Sequence, residues 1–356
     1  GVYGLDITSR ENPRIAWAVD EQTNGFSRMG ESWGKVRTGK VKTGSDSSDV
    51  ISIIPGGLDT GIRTLEGGQS PNMGNALYVV NGLTGQRRWT VSNTGADINI
   101  AGMTNSVIST PTVVDYNKDG FMDAFFFNDI RGQIFRCDFE LDGNNIGLDC
   151  GMIANVRENN ENIYFLSDLD VSMIKGTPSS PANRLSISLS SGNRFDPLND
   201  GEARNKLAVI FDYYTSGKPE SYNYGGAGPI SANQLSAAGE NTVMSSNQKQ
   251  LGWKFTFSHP EYKSFAQTLT YDNKVFVSVH LPQQPGSSSA SASTQECIPA
   301  DLGTAKIFGF TLSDGSPIKV NGQSLNYELW SGAARGVPDT PYMVTRAQSN
   351  SIASSL

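Results

Sequence analysis

The sequence predicts an all-β fold, a modified β-propeller of about seven blades, with room for five to seven, interrupted by long loop insertions. Three observations carry this. First, a short strand-like run recurs as Val2-Tyr3-Gly4-Leu5-Asp6, Leu77-Tyr78-Val79-Val80-Asn81, Ile134-Phe135-Arg136-Cys137-Asp138 and Ile307-Phe308-Gly309-Phe310-Thr311. Second, two of these runs lead through a turn to a tryptophan strand, by Asn12-Pro13 to Trp17 and by Thr84-Gly85 to Trp89, and Ser313-Asp314-Gly315 follows the fourth run. Strand–turn–strand units of this kind are the building pattern of propeller blades, at ~40–50 residues each. Third, helical periodicity is scarce in a chain of 356 residues with 38 glycines and 18% charged residues. The propeller is expected over residues 1–336, and residues 337–356 read as an irregular tail docked through Tyr342 and Met343.

In chain order, Val50-Ile51-Ser52-Ile53-Ile54 is a buried strand ended by Pro55-Gly56-Gly57. Arg184-Leu185-Ser186-Ile187-Ser188-Leu189 alternates as a half-buried strand, and Leu207-Ala208-Val209-Ile210-Phe211 follows it. Residues 215–250, rich in Gly, Ser and Asn, predict a long exposed loop with a short helix around 233–238. Strands resume at Trp253-Lys254-Phe255-Thr256-Phe257 and at Lys274-Val275-Phe276-Val277-Ser278-Val279. The serine-rich segment 286–293 is a flexible loop, and the last blade ends near Trp330.

The most informative stretch is Asp115-Tyr116-Asn117-Lys118-Asp119-Gly120-Phe121-Met122-Asp123. Its D-x-N-x-D-G-x-x-D spacing places side-chain oxygens of Asp115, Asn117, Asp119 and Asp123 at loop positions one, three, five and nine, with the Phe121 backbone carbonyl at position seven. Gly120 at position six permits the sharp turn around an ion. Tyr116, Lys118 and Met122 fall between ligands and point away. Position twelve is Phe126, where an EF-hand needs a bidentate Glu, and the flanks read as strands. The expectation is a Ca2+ loop between strands, of micromolar to millimolar affinity, its shell completed by water or a bidentate carboxylate. The plainer alternative is a polar turn with no ion. Asp196-Pro197-Leu198-Asn199-Asp200-Gly201 has poorer spacing and reads as a turn.

Cys137 and Cys150 bracket a segment centred on Gly143-Asn144. A two-residue turn there pairs Leu141 with Ile146, Phe139 with Leu148, and Cys137 with Cys150 in a non-hydrogen-bonded position, close enough for a disulfide. That bond implies an oxidising compartment. The alternative is two reduced, buried cysteines. Cys297 is left over, buried or paired elsewhere.

The formal net charge of −7 and the lack of a basic stripe argue against nucleic acid. No apolar run reaches the ~18–20 residues of a membrane span. His259 and His280 lack zinc spacing and read as structural. Gly225-Gly226-Ala227-Gly228 reads as slack rather than a phosphate cradle.

Taken together, these motifs resemble the C-terminal β-propeller domain of the PilC/PilY family of type IV pilus tip-associated adhesin and biogenesis proteins. The resemblance is carried by Gly1–Thr8 with Trp17, by Pro55-Gly56-Gly57-Leu58-Asp59, by the run Ala76–Gly85, and most specifically by Pro111–Asp138, which includes Asn128-Asp129-Ile130-Arg131-Gly132-Gln133. Ser191-Gly192-Asn193-Arg194-Phe195 and Gly252-Trp253 also fit. It spans most of residues 1–330, and the insertions at 215–250 and 284–294 depart from it. The resemblance implies a non-enzymatic module at the bacterial cell surface, at the pilus tip, exported through the periplasm and outer membrane, with a separate N-terminal adhesive region. It implies minor pilins of the tip complex as partners, and host surface receptors as further ones. It also implies that the calcium loop influences pilus extension and retraction, twitching motility and adhesion. No Arg-Gly-Asp motif is present. Two other readings stand beside it. The Tyr/Thr-Gly/Trp runs also resemble quinoprotein propeller enzymes, although the chain is short for that class and has no vicinal cysteine pair. An integrin- or lectin-like calcium-binding adhesin would be expected to carry several calcium loops, not one.

Overall fold

The computed structural model describes residues 1–45, 47–61, 73–143, 145–159, 161–176, 182–197, 204–217, 229–240, 250–282, 303–332, 337–346 and 349–354. Cys297, the 286–293 loop, Gly225–Gly228 and most of the 196–201 segment lie outside them. Among the described residues the strands form three five-stranded sheets, one four-stranded sheet and three two-stranded sheets. The fold class is all-β, a β-propeller type, as the sequence predicts. The chain separates into two compact units, one of Gly1–Asn160, Lys175–Leu185 and Asp212–Gln234, the other of Glu161–Ile174, Ser186–Phe211 and Leu235–Leu356.

In the first unit, Val2–Asp6 pairs with Arg14–Val19 as a two-stranded sheet. The next sheet orders Arg37–Lys42, Ser48–Pro55, Ala76–Asn81, Arg87–Ser92 and Ile98–Asn99. The third orders Thr112–Val114, Ala124–Asn128, Gln133–Asp142, Asn145–Asn155 and Ile230–Ser231. The two five-stranded sheets share one core: Val41, Ile51, Ile53, Leu77, Val79 and Val91 of one sheet meet Phe125, Phe127, Phe135 and Cys137 of the other, all fully buried. The Phe127 and Phe135 rings stack there with centroids 4.9 Å apart. These are the period-two alternates of their strands, and burying both sheet faces removes exposed apolar area at about 25 cal/mol per Å2.

The second unit is built mainly on a sheet ordered Asp170–Ile174, Arg184–Ser190, Lys206–Asp212, Gly252–Thr256 and Ser236–Ala237, and on a four-stranded sheet of Leu269–Tyr271, Lys274–Leu281, Thr304–Thr311 and Glu328–Gly332. Phe255, Phe310 and Tyr327 form an aromatic cluster, with Phe255 at 4.9 Å from each of the others.

One device appears in both units. Trp17 Nε1 donates to the Gly82 carbonyl at 3.0 Å, and a Cβ on Gly85 would come within 2.8 Å of the Trp17 ring. Trp253 Nε1 donates to the Leu312 carbonyl at 2.8 Å, and a Cβ on Gly315 would come within 2.6 Å of the Trp253 ring. Each glycine sits three residues past its accepting carbonyl, in a left-handed conformation with φ near +71° and +70°. The Thr84-Gly85 and Asp314-Gly315 turns are therefore docking plates for an indole from another sheet.

Four expectations are corrected. Arg184–Ser190 is fully rather than half buried. Its polar alternates meet protein instead of water: Ser186 Oγ donates to the Ser172 carbonyl at 3.1 Å, Ser188 Oγ is 2.7 Å from Thr268 Oγ1, and Ser190 Oγ donates to Ser264 Oγ at 2.7 Å. The described part of 215–250 is no plain loop, since Ile230–Ser231 and Ser236–Ala237 each add a parallel strand to a sheet. The short helix expected near 233–238 is only a 3-10 turn at Ala232–Gln234. The tail is not irregular: Pro341–Arg346 pairs with Ser349–Ser354 as a hairpin. Tyr342 is 46% exposed, and the Met343 side chain lies outside the described residues. The approach to the hairpin is held by Ser278 Oγ, which donates to the Asp339 carbonyl at 2.8 Å.

Candidate metal centre

The loop from Asp115 to Asp123 lies between two antiparallel strands, with Thr112 opposite Phe126, Val113 opposite Phe125 and Val114 opposite Ala124. The Asp123 amide closes its neck by donating to the Val114 carbonyl at 3.0 Å. Inside the loop the acidic side chains organise the backbone. Asp115 accepts from the amides of Asp119 at 3.2 Å and Gly120 at 2.8 Å, one on each carboxylate oxygen. Asn117 Oδ1 accepts from the Asp119 amide at 2.9 Å, and Asp119 Oδ1 accepts from Phe121 at 3.0 Å. Asp123 Oδ2 accepts from the Tyr116 amide at 2.7 Å. Gly120 has φ +86°, the reason for a glycine there, since a Cβ would meet no atom within 4 Å. Lys118 also has positive φ, at 62°, a strain of order 1 kcal/mol that the sequence did not announce.

The loop is tied to its neighbour sheet. The Met122 amide donates to the Lys40 carbonyl at 2.8 Å, on the edge strand Arg37–Lys42. The Lys42 ammonium pairs with Asp119 Oδ2 and lies 5.3 Å from the centroid of the Phe121 ring. That hydrogen bond holds the Asp119 carboxyl below, and the Lys42 ammonium above, their ordinary values. Asp123 is pushed up, first by burial and then by the charges of Asp115 and Asp119.

The donors have the chemistry calcium uses: three carboxylates, an amide oxygen and a carbonyl, all hard oxygens. Each carboxylate has about four acceptor positions, so one or two loop amides leave capacity for an ion. Their convergence is incomplete. Among the described residues no group of three or more His, Cys, Asp or Glu is gathered closely enough to hold an ion. Asp119 Oδ2 accepts from both the Lys42 ammonium and, at 3.0 Å, Asn117 Nδ2, and Asp123 Oδ2 accepts from the Tyr116 amide. By donor chemistry the residue set fits calcium, and an ion there would compete with Lys42 and Asn117 Nδ2 for Asp119 Oδ2.

Beneath the loop lies a charge cluster that the sequence reading missed. Arg136 is fully buried and meets Asp138 with two bonds, Nε to Oδ2 at 2.8 Å and Nη2 to Oδ1 at 2.7 Å. Its Nη1 donates to Asp212 Oδ2 at 2.7 Å and to the Tyr214 carbonyl at 3.1 Å. The guanidinium sits 5.7 Å from the Tyr116 ring centroid and 5.6 Å from that of Phe126. Burial works against its charge, but Asp138 and Asp212 outweigh this and hold it protonated above its ordinary range. Burial pushes the Tyr116 hydroxyl up, and that hydroxyl has no hydrogen-bond partner among the described residues. A cavity of about 370 Å3 opens beside the loop, lined by Tyr116, Asn117, Asp123, Asp138, Phe139 and Glu140 among others. The available signal was an Arg and an Asp on alternate positions of an otherwise apolar strand, Ile134 to Asp138.

The hairpin below this cluster follows the expected register: Leu141 opposite Ile146, Phe139 opposite Leu148, Cys137 opposite Cys150. The two cysteines are disulfide-bonded with Cα atoms 4.1 Å apart. At the other end of the preceding strand, Asp129 is fully buried and accepts from Asn105 Nδ2 at 2.8 Å and from the amides of Arg131 and Gln133 at 2.9 and 3.0 Å. Burial lifts its carboxyl to about 6. The histidines serve the framework. His259 Nδ1 accepts from the Glu261 amide at 3.2 Å, and the buried His280 exchanges backbone bonds with Lys263 at 2.8 and 3.0 Å.

Sheets of four and five strands, clasped by tryptophan–glycine docking and carrying one acidic loop between strands, define a propeller-type all-β class. The fold is shared with the crystal structure of the Pseudomonas aeruginosa PilY1 C-terminal domain, at a TM-score of 0.61 and 15% sequence identity, over 99% of this chain and 75% of that chain. No family model and no curated protein matches the chain. The fold implied by the sequence resemblance therefore extends over nearly the whole chain. Among the described residues no helix is long and apolar enough to cross a membrane.

Proposed function

We propose that this chain is a calcium-binding, non-enzymatic module of a type IV pilus-associated surface protein, acting with minor pilins of the tip complex in pilus extension and retraction, twitching motility and adhesion. The observation that carries the calcium reading is the set of oxygens from Asp115, Asn117, Asp119, Phe121 and Asp123 on one short loop whose neck is closed by a strand pair. The pilus reading is supported by the shared fold together with the Pro111–Asp138 motif. An ion here neutralises three carboxylates that otherwise raise one another's cost of ionisation, and it pins the loop. Because Met122 is bonded to the edge strand at Lys40, loop order is transmitted to the neighbouring sheet of the same unit.

Titration calorimetry with Ca2+ on the wild type and on Asp123→Ala tests the reading. The wild type is expected to bind with micromolar to millimolar affinity, and the variant to lose binding. Equal affinity in both proteins overturns the ligand assignment. In cells, the same variant is expected to alter twitching while the protein still reaches the surface.

A further inference from the structure

We infer that Lys42 is a built-in competitor for the calcium loop, an ammonium that occupies Asp119 and sets the affinity of the site by having to leave. The inference rests on the calcium reading above and adds to it a residue that lies outside the loop, on an edge strand 77 positions away in sequence from its partner.

The geometry supports a competitor rather than a bystander. Lys42 pairs with Asp119 Oδ2, an oxygen of the position-five ligand, and stands over the ring of Phe121, the residue that would give the position-seven carbonyl. One cation is thus placed where the loop's negative charge is concentrated, and the carboxylates are left ungathered. Asp119 Oδ2 also accepts from Asn117 Nδ2 at 3.0 Å, so its acceptor positions are taken and an ion that claims this oxygen must compete with the ammonium for it. A bound divalent ion and an ammonium within a few ångströms also repel. The displacement is easy enough to be useful, because the pair is solvated: the Lys42 side chain is 45% exposed and that of Asp119 26%. Exposed ion pairs are weak, and Lys42 has a long stem that can swing into water while its backbone stays in the edge strand. The loop remains attached to that strand through Met122 and Lys40, so exchange of one cation for another alters one of two ties and leaves the other.

Calorimetric Ca2+ titrations of the wild type, Lys42→Met, Lys42→Gln and Lys42→Arg at one ionic strength test this. Lys42→Met and Lys42→Gln are expected to bind about two- to tenfold tighter than the wild type, and Lys42→Arg to stay within about twofold of it. The side-chain resonance of Lys42 is expected to shift on Ca2+ addition with the same midpoint as the heat. Affinity unchanged or weakened in both neutral variants, with the wild type binding, overturns the role of Lys42 and leaves the calcium reading standing. Binding in the neutral variants alone supports Lys42 as a full block. No binding in any of the four proteins overturns both.

Discussion

Replacing Arg136 with methionine removes the only charge opposed to Asp138 and Asp212 in the buried contacts described above. Both side chains are nearly sealed, at 5% and 6% exposure, and the guanidinium at 0%. Three charge-assisted bonds at 2.7–2.8 Å are lost together. Breaking a buried ion pair from one side costs about 3–5 kcal/mol, because the remaining charge stays desolvated. With about 2–4 °C of melting temperature per kcal/mol in domains of this size range, the expected drop is roughly 6–20 °C. Urea and thermal unfolding in chelator measure it. Arg136→Lys keeps the charge but loses the two-pronged contact and should fall between. The triple change Arg136→Met, Asp138→Asn, Asp212→Asn should recover much of the loss. A drop below about 1 kcal/mol for Arg136→Met, or no recovery in the triple variant, refutes the view that this cluster is a paired set of buried charges under the loop.

Three further outcomes are expected. Asp129 has a folded-state carboxyl raised from 3.8 to about 6, so the folded chain holds more protons than the unfolded one in that window, and stability should fall as pH rises from about 4 to 6. The full effect is about 3 kcal/mol, and Asp129→Asn should flatten that part of a melting-temperature profile. Reducing the Cys137–Cys150 bond, or replacing both cysteines by serine, opens a loop of sequence separation 13 and should cost about 2–3 kcal/mol in urea unfolding, with the hairpin register kept. Gly315→Ala places a Cβ 2.6 Å from the Trp253 ring at a left-handed φ and should destabilise by about 1–3 kcal/mol in the same assay, whereas Gly95→Ala, left-handed but with no atom near, should cost less.

What the sequence made legible is what short range decides. The loop spacing, the glycine at position six and the flanking strands are written in about a dozen consecutive residues, and the structure has the strands and the turn there. The cysteine register follows from one turn and a period of two. What was not legible depends on partners far along the chain. Arg136 finds Asp212 at a separation of 76, and Lys42 finds Asp119 at 77. Ser186, Ser188 and Ser190 look like a solvent face until the neighbouring strand of the same sheet supplies a carbonyl at Ser172 and the distant residues Ser264 and Thr268 supply hydroxyls. Ile230–Ser231 and Ser236–Ala237 are two-residue strands, too short for any periodicity to mark them. The tail hairpin lacked the strong turn dipeptides that identify a two-residue loop.

The most direct measurement is a crystal structure grown with Ca2+, read by anomalous scattering at the loop. The account predicts a single ion held at about 2.3–2.6 Å by oxygens of Asp115, Asn117, Asp119, Phe121 and Asp123, with the Lys42 ammonium moved off Asp119. An ordinary water network within that bend, and Lys42 still seated on Asp119 at saturating Ca2+, would contradict it.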